Sequence, residues 1–352
     1  MNINLDKIDI AKADPRNMRD FLGSFADLCR EAWATGESFA LPAYFIKCRK
    51  IVILGMGASG IAGEFLADLL YDSKMVVTAI HDYNLPGWVD KDTMVISLCH
   101  SGNTEEVLYA FVSAYEKNAK LLAITTGGRL ESLCGKYRAP IIKYRADCEP
   151  KLALPYLLLI PFVLLTKLGV LEFNHKDFDK SLLSVSAQIG KITNNIGLAT
   201  NPAKDLAMKI FNQNIQIISA ANLRAAAIRF SNSINENGKN LSAYHFLPEA
   251  DHNLVAGLQN PKKLMAETTF IFFESKFARL EIKKRFNVTA KILNGNNVSY
   301  IRVDFPQAGN KLSEILLSVI FGDFVGMYLG FLNQVDPSSA RVVEQIKGEL
   351  AK

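Results

Sequence analysis

The sequence has few cysteines, and they follow no metal-binding or disulfide pattern. There are five, and they are widely spaced: Cys29, Cys48, Cys99, Cys134 and Cys148. No two of them form a C-x-x-C pair, which argues against a structural zinc site, and an odd, scattered set argues against a disulfide framework. This cysteine content is typical of a reducing compartment, so we expect a cytoplasmic location.

The sequence also lacks a strong excess of charge of either sign. It has 40 Lys and Arg against 35 Asp and Glu, a formal net charge of +5. It contains no run of five or more basic residues and no interleaving of basic with aromatic residues. Because proteins that bind nucleic acid concentrate positive charge in such patches, we expect no nucleic acid partner.

No hydrophobic run stands out as a membrane span. The most apolar stretch, Leu152 to Leu165, is interrupted by Pro155 and Pro161. It is shorter than the roughly 20 residues that a membrane span needs, so it predicts a buried core helix. The first residues lack the charged segment and apolar segment of a signal peptide. We therefore expect no membrane partner.

What the sequence does contain is an alternation of short apolar runs with helical stretches. Its 352 residues, 49% of them hydrophobic, are enough for two domains. The predicted strands are Lys50–Gly55, Met75–Ile80, Thr93–Ser97, Leu121–Thr125, Pro140–Tyr144, Ile215–Ser219, Thr269–Phe273 and Val298–Val303. This order predicts an α/β protein with two domains, each a parallel sheet flanked by helices on both faces. The predicted boundaries are an N-terminal helical segment (1–40), a first domain (41–172), a helical connection (173–202) and a second domain (203–352).

The first glycine motif, Gly55-Met-Gly-Ala-Ser-Gly60, follows a predicted strand and opens a predicted helix. Its spacing matches G-x-G-x-x-G, which permits a dinucleotide-binding interpretation. That interpretation expects an acidic residue at the end of the second strand, and Asp82 is placed there. A nicotinamide- or flavin-dependent oxidoreductase is therefore one alternative.

The second motif, Cys99-His-Ser-Gly-Asn-Thr104, follows the third predicted strand and opens another helix at Glu105. Hydroxyl groups and backbone N–H groups at a helix N-terminus can surround an anion. Loops at the carboxyl ends of neighbouring strands meet at one crevice, so Ser59, Ser101 and Thr104 together predict a phosphate site. The simpler interpretation is that Ser101 or Thr104 only caps the helix.

These two motifs resemble those of SIS-domain proteins, which bind phosphosugars. Three further segments are similar to the bifunctional phosphoglucose/phosphomannose isomerases: Glu149–Tyr156, Ser233–Lys239 and Pro248–Asn253. The C-terminal stretch from Gly322 to Pro337 also resembles that family. The resemblance implies two SIS-type domains, a homodimer, and no cofactor, metal or nucleotide.

The resemblance also implies roles for individual residues. Glu236 is the base that moves a proton between C2 and C1 of the sugar, and His252 opens the sugar ring from the neighbouring subunit. Lys311 is our candidate for a ring-opening lysine, and Lys151 stands where the family usually has an arginine that stabilises the enediolate. The implied phosphate-binding residues are Gly57, Ser59, Cys99, Ser101 and Thr104.

The sequence therefore predicts an isomerase that interconverts fructose 6-phosphate with glucose 6-phosphate, mannose 6-phosphate or both. It departs from the family at Lys151, at Cys99 (usually serine), at His100 (usually tyrosine) and at Ala58 (usually glycine). These departures keep a second alternative open, a catalytically weakened, regulatory phosphosugar-binding protein.

Two further expectations are negative. An amidotransferase would carry a cysteine at position 2, where this chain has Asn2, so that class is disfavoured. His81, His175 and His245 have no ligand-like spacing, so we expect them to be structural and expect no metal site.

Overall fold

The computed structural model describes residues 4–146 and 148–350, and the chain forms two compact units. The first unit is Ser24–Leu182. The second unit combines the residues up to Gly23 with those from Leu183 onward.

The strands of the described residues are β1 (Lys50–Leu54), β2 (Val76–Ile80), β3 (Thr93–Cys99), β4 (Lys120–Thr125), β5 (Ile141–Lys143), β6 (Asn214–Ser219), β7 (Ser242–Phe246), β8 (Thr268–Glu274) and β9 (Ser299–Asp304). The α-helices are α1 (Ile10–Ala13), α2 (Met18–Gly23), α3 (Phe25–Ser38), α4 (Ala58–Leu69), α5 (Glu105–Glu116), α6 (Gly128–Tyr137), α7 (Leu154–Lys167), α8 (His175–Ile192), α9 (Pro202–Ile210), α10 (Arg224–Glu236), α11 (Lys262–Ala266), α12 (Leu280–Gly295), α13 (Lys311–Leu332) and α14 (Arg341–Leu350). Short 3₁₀ helices lie at Leu5–Lys7, Ala43–Lys47, Pro150–Leu152, Leu198–Thr200, Ala221–Leu223, Glu249–His252 and Leu254–Gly257.

The first unit contains a five-stranded parallel sheet of order β2-β1-β3-β4-β5. All seven residues of β3 are buried, as expected of a central strand covered on both faces. The strand order reverses between β1 and β3, which pair directly. In open α/β sheets this switch point is where the loops diverge and a ligand crevice forms.

The apolar stretch around Pro155 forms α7, and its residues from Leu154 to Leu165 are all buried. The predicted core helix is thus confirmed. α7 packs against α3 in the same unit. This contact explains why the N-terminal helical segment predicted for residues 1–40 is divided: α3 belongs to the first unit, whereas the chain up to Gly23 belongs to the second.

The second unit contains a four-stranded parallel sheet of order β7-β6-β8-β9. Its order also reverses, between β6 and β8. Sequence patterning missed β7 because it is a half-exposed edge strand whose residues, from Ser242 to Phe246, lack an apolar run. The predicted class, two parallel sheets flanked by helices, is confirmed.

The central helix of the second unit is α13, whose residues from Leu312 to Leu332 are all buried. Its 22 residues are long and apolar enough to cross a membrane. In the structure they pack against α9 and α10 instead, so α13 is the core helix of this unit.

A row of three glycines, Gly322, Gly326 and Gly330, lies on the side of α13 that faces α10. A Cβ atom added at Gly326 would lie 2.4 Å from Oγ of Ser233 and 2.7 Å from its carbonyl oxygen. One added at Gly330 would lie 2.5 Å from the carbonyl oxygen of Asn237. The two helices approach this closely because the glycines have no side chains, and this contact fixes the end of α10, where Glu236 lies.

Candidate functional site

Both glycine- and hydroxyl-rich motifs of the first unit lie at its switch point. The first motif follows β1 and leads into α4, and the second follows β3 and leads into α5. Because β1 and β3 are adjacent and parallel, both loops leave the same edge of the sheet. Each loop ends at the N-terminus of a helix, where backbone N–H groups lack intrahelical partners. This arrangement suits an anion such as a phosphate.

The first loop depends on its glycines. Gly57 precedes α4 with φ 55° and ψ −126°, a backbone conformation that side-chain-bearing residues rarely adopt. A Cβ atom at Gly55 would lie 2.6 Å from the carbonyl carbon of Ser59. Ser59 is buried in the first turn of α4. Ala58 begins that helix, so its side chain is accommodated by ordinary helical structure.

The second loop is held by its own contacts and by the β4–α6 loop. Oγ of Ser101 accepts a hydrogen bond from the backbone N–H of Asn103 at 3.2 Å. A Cβ atom at Gly102 would lie 1.8 Å from the carbonyl oxygen of Gly127, so only glycine fits there. Thr104 is the N-cap residue of α5, yet its side chain makes no capping hydrogen bond. Thr104 therefore does not cap α5 through its side chain, contrary to the simpler interpretation.

Cys99 and His100, the two residues of this second loop at which the sequence resemblance indicates a departure, are held by neighbouring side chains. Cys99 is buried at the end of β3, and its Sγ lies 4.0 Å from Oγ of Ser101. His100 is partly buried, and its Nδ1 lies 3.0 Å from the hydroxyl of Tyr144. Burial lowers the pKa of His100. The hydroxyl of Tyr144 thus helps to anchor the loop through the His100 ring.

His81 braces the first loop, a role that the sequence did not reveal. Its Nδ1 lies 2.8 Å from the carbonyl oxygen of Gly55, and its Nε2 lies 2.8 Å from Oε1 of Glu64. The hydrogen bond to Glu64 raises the pKa of His81, although burial opposes this shift. A protonated ring donates through both nitrogens, so it ties the loop to α4. The only sequence signal was a histidine directly after β2.

Lys151 also lies in the first unit. It belongs to the 3₁₀ helix Pro150–Leu152, which packs against α4 and α7. Its side chain is buried, with a relative exposure of 9%. Lys151 is therefore held beside α4, the helix that the first glycine-rich loop opens.

Glu236 is the last residue of α10 in the second unit and is partly buried. Nζ of Lys239 donates to the carbonyl oxygen of Glu236 and, at 2.7 Å, to that of Ser339. Two turns earlier on α10, Arg229 pairs with Asp323 of α13 at 2.8 Å. Burial works to lower the pKa of Arg229, but Asp323 outweighs it, and Glu236 adds to the net rise. The hydrogen bonds of Lys239 therefore hold the end of α10, and the charged side chain of Arg229 is close enough to interact with Glu236.

The second unit does not bring His252 close to Glu236. α10 leaves the carboxyl end of β6 and returns to the amino end, where Glu236 lies, whereas His252 follows the carboxyl end of β7. The two residues are therefore separated by about 17 Å, the length of a five-residue strand. His252 is exposed, and both oxygens of its neighbour Asp251 bond elsewhere, to Arg285 and Thr289.

Lys311 is also distant from Glu236. It is the first residue of α13, and Glu236 lies near the part of that helix occupied by Gly326. At a rise of about 1.5 Å per residue, Lys311 is about 22 Å from Gly326 along the helix. The lysine beside Glu236 is instead Lys239, whose pKa is lowered by burial, with Asp336 and Glu236 opposing the shift.

No metal-binding cluster is found in the parts of the chain that the structure describes: no three His, Cys, Asp or Glu side chains there converge on one point. His245 contacts Gln216, with Nε2 2.9 Å from Oε1, and burial lowers its pKa. His175 lies within 3.4 Å of Glu37 and 3.7 Å of Asp179. Asp82, the residue expected to hold a ribose, is exposed and accepts a hydrogen bond from the N–H of Asn84.

A parallel sheet with hydroxyl- and glycine-bearing loops at its switch point places this chain among SIS-domain proteins, and residues 44–132 match the family described as the SIS domain. Residues 199–350 match the family described as the bacterial phospho-glucose isomerase C-terminal SIS domain. The chain belongs to the family of bifunctional phosphoglucose/phosphomannose isomerases. The resemblance inferred from the sequence motifs is confirmed.

Two relatives of this family match most of the chain. The bifunctional phosphoglucose/phosphomannose isomerase of Thermoplasma volcanium is 31% identical over 307 residues, 87% of this chain and 92% of the relative. That of Caldicellulosiruptor bescii is 28% identical over 326 residues, 92% of this chain and 96% of the relative. Among solved structures, the C-terminal domain of glucosamine-fructose-6-phosphate aminotransferase from Francisella tularensis has the same fold (TM-score 0.72, 14% identity, covering 96% of this chain and 100% of that one).

Proposed function

We propose that this protein interconverts fructose 6-phosphate with glucose 6-phosphate, mannose 6-phosphate or both, by metal-free proton transfer through a cis-enediolate. Membership of the isomerase family supports this function. The structural observation that carries it is the pair of loops after β1 and β3, which offer two helix N-termini at one switch point. The phosphate-binding residues in this proposal are Gly57, Ser59, Cys99, Ser101 and Thr104.

In this mechanism Glu236 acts as the base. Isomerisation removes a proton from one of C1 and C2 and delivers it to the other, and one carboxylate that reaches both carbons is sufficient. The close contact of α10 with α13 supports this role, because a base must be held within hydrogen-bond reach of the proton it moves. Lys151 supplies positive charge to the enediolate in place of an arginine. A lysine is a point charge rather than a planar fork, so we expect weaker stabilisation.

We propose that the enzyme is a homodimer in which His252 opens the sugar ring from the neighbouring subunit. The separation of Glu236 and His252 in one chain supports this arrangement, since a single second unit does not place both at one point. Lys311 remains a candidate for ring opening. Because it is distant from Glu236 in one chain, it too would have to act from a partner subunit. A cytoplasmic location fits the five free cysteines.

A phosphosugar-binding protein with weakened catalysis is the second candidate. The burial of Cys99 favours it, because a buried thiol is a poor donor to a phosphate. The substitution of Lys151 for arginine also favours it. Both departures weaken ligand stabilisation without changing the fold.

The test is a coupled assay that follows conversion of fructose 6-phosphate to both aldose phosphates, with EDTA present. We expect turnover in the natural chain and a loss of at least about a thousandfold in Glu236→Gln, because the amide removes the base without changing its shape. Glu281→Gln, an exposed glutamate of the same unit, is the matched control and should retain full activity.

Turnover that is unchanged in Glu236→Gln would remove this residue from the mechanism. No turnover in the natural chain, combined with saturable binding of fructose 6-phosphate by calorimetry, would favour the binding protein instead. Loss of turnover in EDTA would contradict the metal-free mechanism.

A further inference from the structure

The second sheet has a switch point of its own, between β6 and β8. The segment after β6 contains the 3₁₀ helix Ala221–Leu223, and the segment after β8 begins at Ser275. In the first sheet, the two loops proposed to bind phosphate lie at the equivalent switch point, between β1 and β3. By the general rule for open α/β sheets, a ligand crevice is expected there as well.

A carboxylate from the same unit occupies this crevice. Glu314, in the first turn of α13, has a relative exposure of 0%. Its Oε1 accepts a hydrogen bond from the backbone N–H of Lys276 at 2.8 Å. Its Oε2 accepts one from Nδ2 of Asn222 at 2.8 Å and one from the hydroxyl of Ser275 at 2.6 Å. The carboxylate therefore receives three donors from the two loops of the switch point.

These donors are of the kind that binds a small anion. A backbone N–H after a strand, an amide and a hydroxyl are also what a phosphate or carboxylate ligand would receive in such a crevice. Asn222 and Ser275 are themselves buried, each with a relative exposure of 4%. Without an anion the amide of Asn222 would lose its acceptor, which is costly in a buried site, whereas the hydroxyl of Ser275 also lies 2.8 Å from Oδ1 of Asn222 and could donate there.

The segment that joins β9 to α13 closes over the same point. Nζ of Lys276 donates to the carbonyl oxygens of Pro306 and Ala308, at 3.0 and 2.6 Å. The side chain of Lys276 thus holds this connection, and its backbone N–H holds Glu314. The first turn of α13 therefore occupies the crevice at the carboxyl ends of β6 and β8.

We infer that Glu314 is a built-in anion that fills the ligand crevice of the second sheet, closes it to external anions and anchors the first turn of α13. Of the two sheets in the described residues, the first is then the one whose switch point is open to a phosphate. This inference concerns the second sheet only and holds whether or not the proposed isomerase activity is correct.

The test is the thermal stability of Glu314→Ala with and without acetate, which replaces the carboxylate and methylene groups that the substitution removes. We expect the Tm of Glu314→Ala to fall by roughly 6–15 °C, since the buried amide of Asn222 and the backbone N–H of Lys276 lose their acceptor and the hydroxyl of Ser275 loses one of its two. Acetate should then raise this Tm in a saturable manner, relative to chloride at the same ionic strength. Inorganic phosphate is the second probe, and a similar rise would show that the opened crevice accepts a tetrahedral anion.

Glu314→Gln and Glu281→Ala are the controls. The glutamine of Glu314→Gln fills the same space, but its NH₂ group is a donor that would face the amide of Asn222 or the backbone N–H of Lys276, which are also donors. The Tm of Glu314→Gln should therefore fall and should not respond to acetate. Glu281 is exposed, and Glu281→Ala should keep the natural Tm and its natural response to acetate. If Glu314→Ala is insoluble, its refolding yield in acetate against chloride replaces Tm, and a higher yield in acetate is expected.

The inference is wrong if Glu314→Ala or Glu314→Gln keeps the natural Tm. It is also wrong if acetate acts equally on the natural chain, Glu281→Ala and Glu314→Ala. A response to acetate but not to phosphate would show that the crevice fits a carboxylate only, and would leave Glu314 as its built-in ligand.

Discussion

In the proposed mechanism Lys151 takes the place that the sequence resemblance gives to an arginine. It is buried beside α4, so solvent screens its side chain only weakly. A charge placed at a developing enediolate typically accounts for a hundredfold or more of the rate. The proposed mechanism therefore depends on this cation even though it is not an arginine.

We predict that Lys151→Met lowers kcat by about a hundredfold or more, with a smaller change in KM, because the charge acts on the transition state. Steady-state kinetics with fructose 6-phosphate measure this. Lys136→Met, on the surface of α6, is the control and should leave kcat unchanged. A change in KM alone would assign Lys151 to ground-state binding.

The His81–Glu64 pair predicts a pH dependence of stability. Its raised pKa means that the folded chain holds the proton more tightly than the unfolded chain, whose histidine titrates near 6.5. The stabilisation is thus fully present below about pH 6.5 and is lost as the pH rises through the folded-state pKa.

We expect the Tm difference between the natural chain and Glu64→Gln to be largest near pH 6 and to shrink as the pH rises toward 9. Both side chains are partly exposed, so the effect should be modest. Thermal melts across this range measure it. A difference that is independent of pH would show that protonation of His81 does not stabilise the loop.

At the scale of elements, the contact of α10 with α13 determines where the end of α10 lies. The three glycines of α13 recur every four residues and so share one face of the helix. In the sequence they read only as small residues within an apolar helix. Their function becomes visible once α10 is seen lying against them.

We predict that Gly326→Ala destabilises the chain by about 2 kcal/mol or more, because its Cβ would overlap Ser233. Gly190→Ala is the matched control: Gly190 lies within α8 with no atom within 4 Å of its Cβ position. That variant should be neutral or more stable by up to about 1 kcal/mol, from helix propensity alone. Chemical denaturation of both variants measures this, and equal effects would contradict the close-contact explanation.

At the scale of the whole molecule, the proposed dimer predicts complementation. Glu236→Gln and His252→Asn should each be nearly inactive alone. If His252 acts across the interface, a mixed dimer of the two variants contains one complete site. Random assembly of equal amounts should then restore about a quarter of the natural activity.

The measurement is activity after the two variants are refolded together, with Lys151→Met and Glu236→Gln as the control pair. Both residues of that pair are proposed to act on the substrate, and neither is expected to come from across the interface. If the activity stays at the level of the separate variants, either His252 does not contribute to the partner's site or the protein is not a dimer.

Much of the fold follows from local sequence patterns. Alternating apolar runs and helices predicted two parallel sheets, and eight of the strands were placed from their β-branched residues. β7 was missed because an edge strand buries only part of its surface and needs no apolar run. The division of the first 40 residues was missed because the packing of α3 on α7 is a tertiary contact.

The sequence by itself determined the fold class and the position of the two glycine- and hydroxyl-rich loops at helix N-termini, because glycine conformation and helix N-termini are local properties of the chain. Only the tertiary structure decided which groups meet. It joined His81 to Gly55, separated His252 and Lys311 from Glu236, and inserted Glu314 into the second crevice. These relations depend on sheet order and on helix packing between residues distant in sequence, which no local pattern encodes.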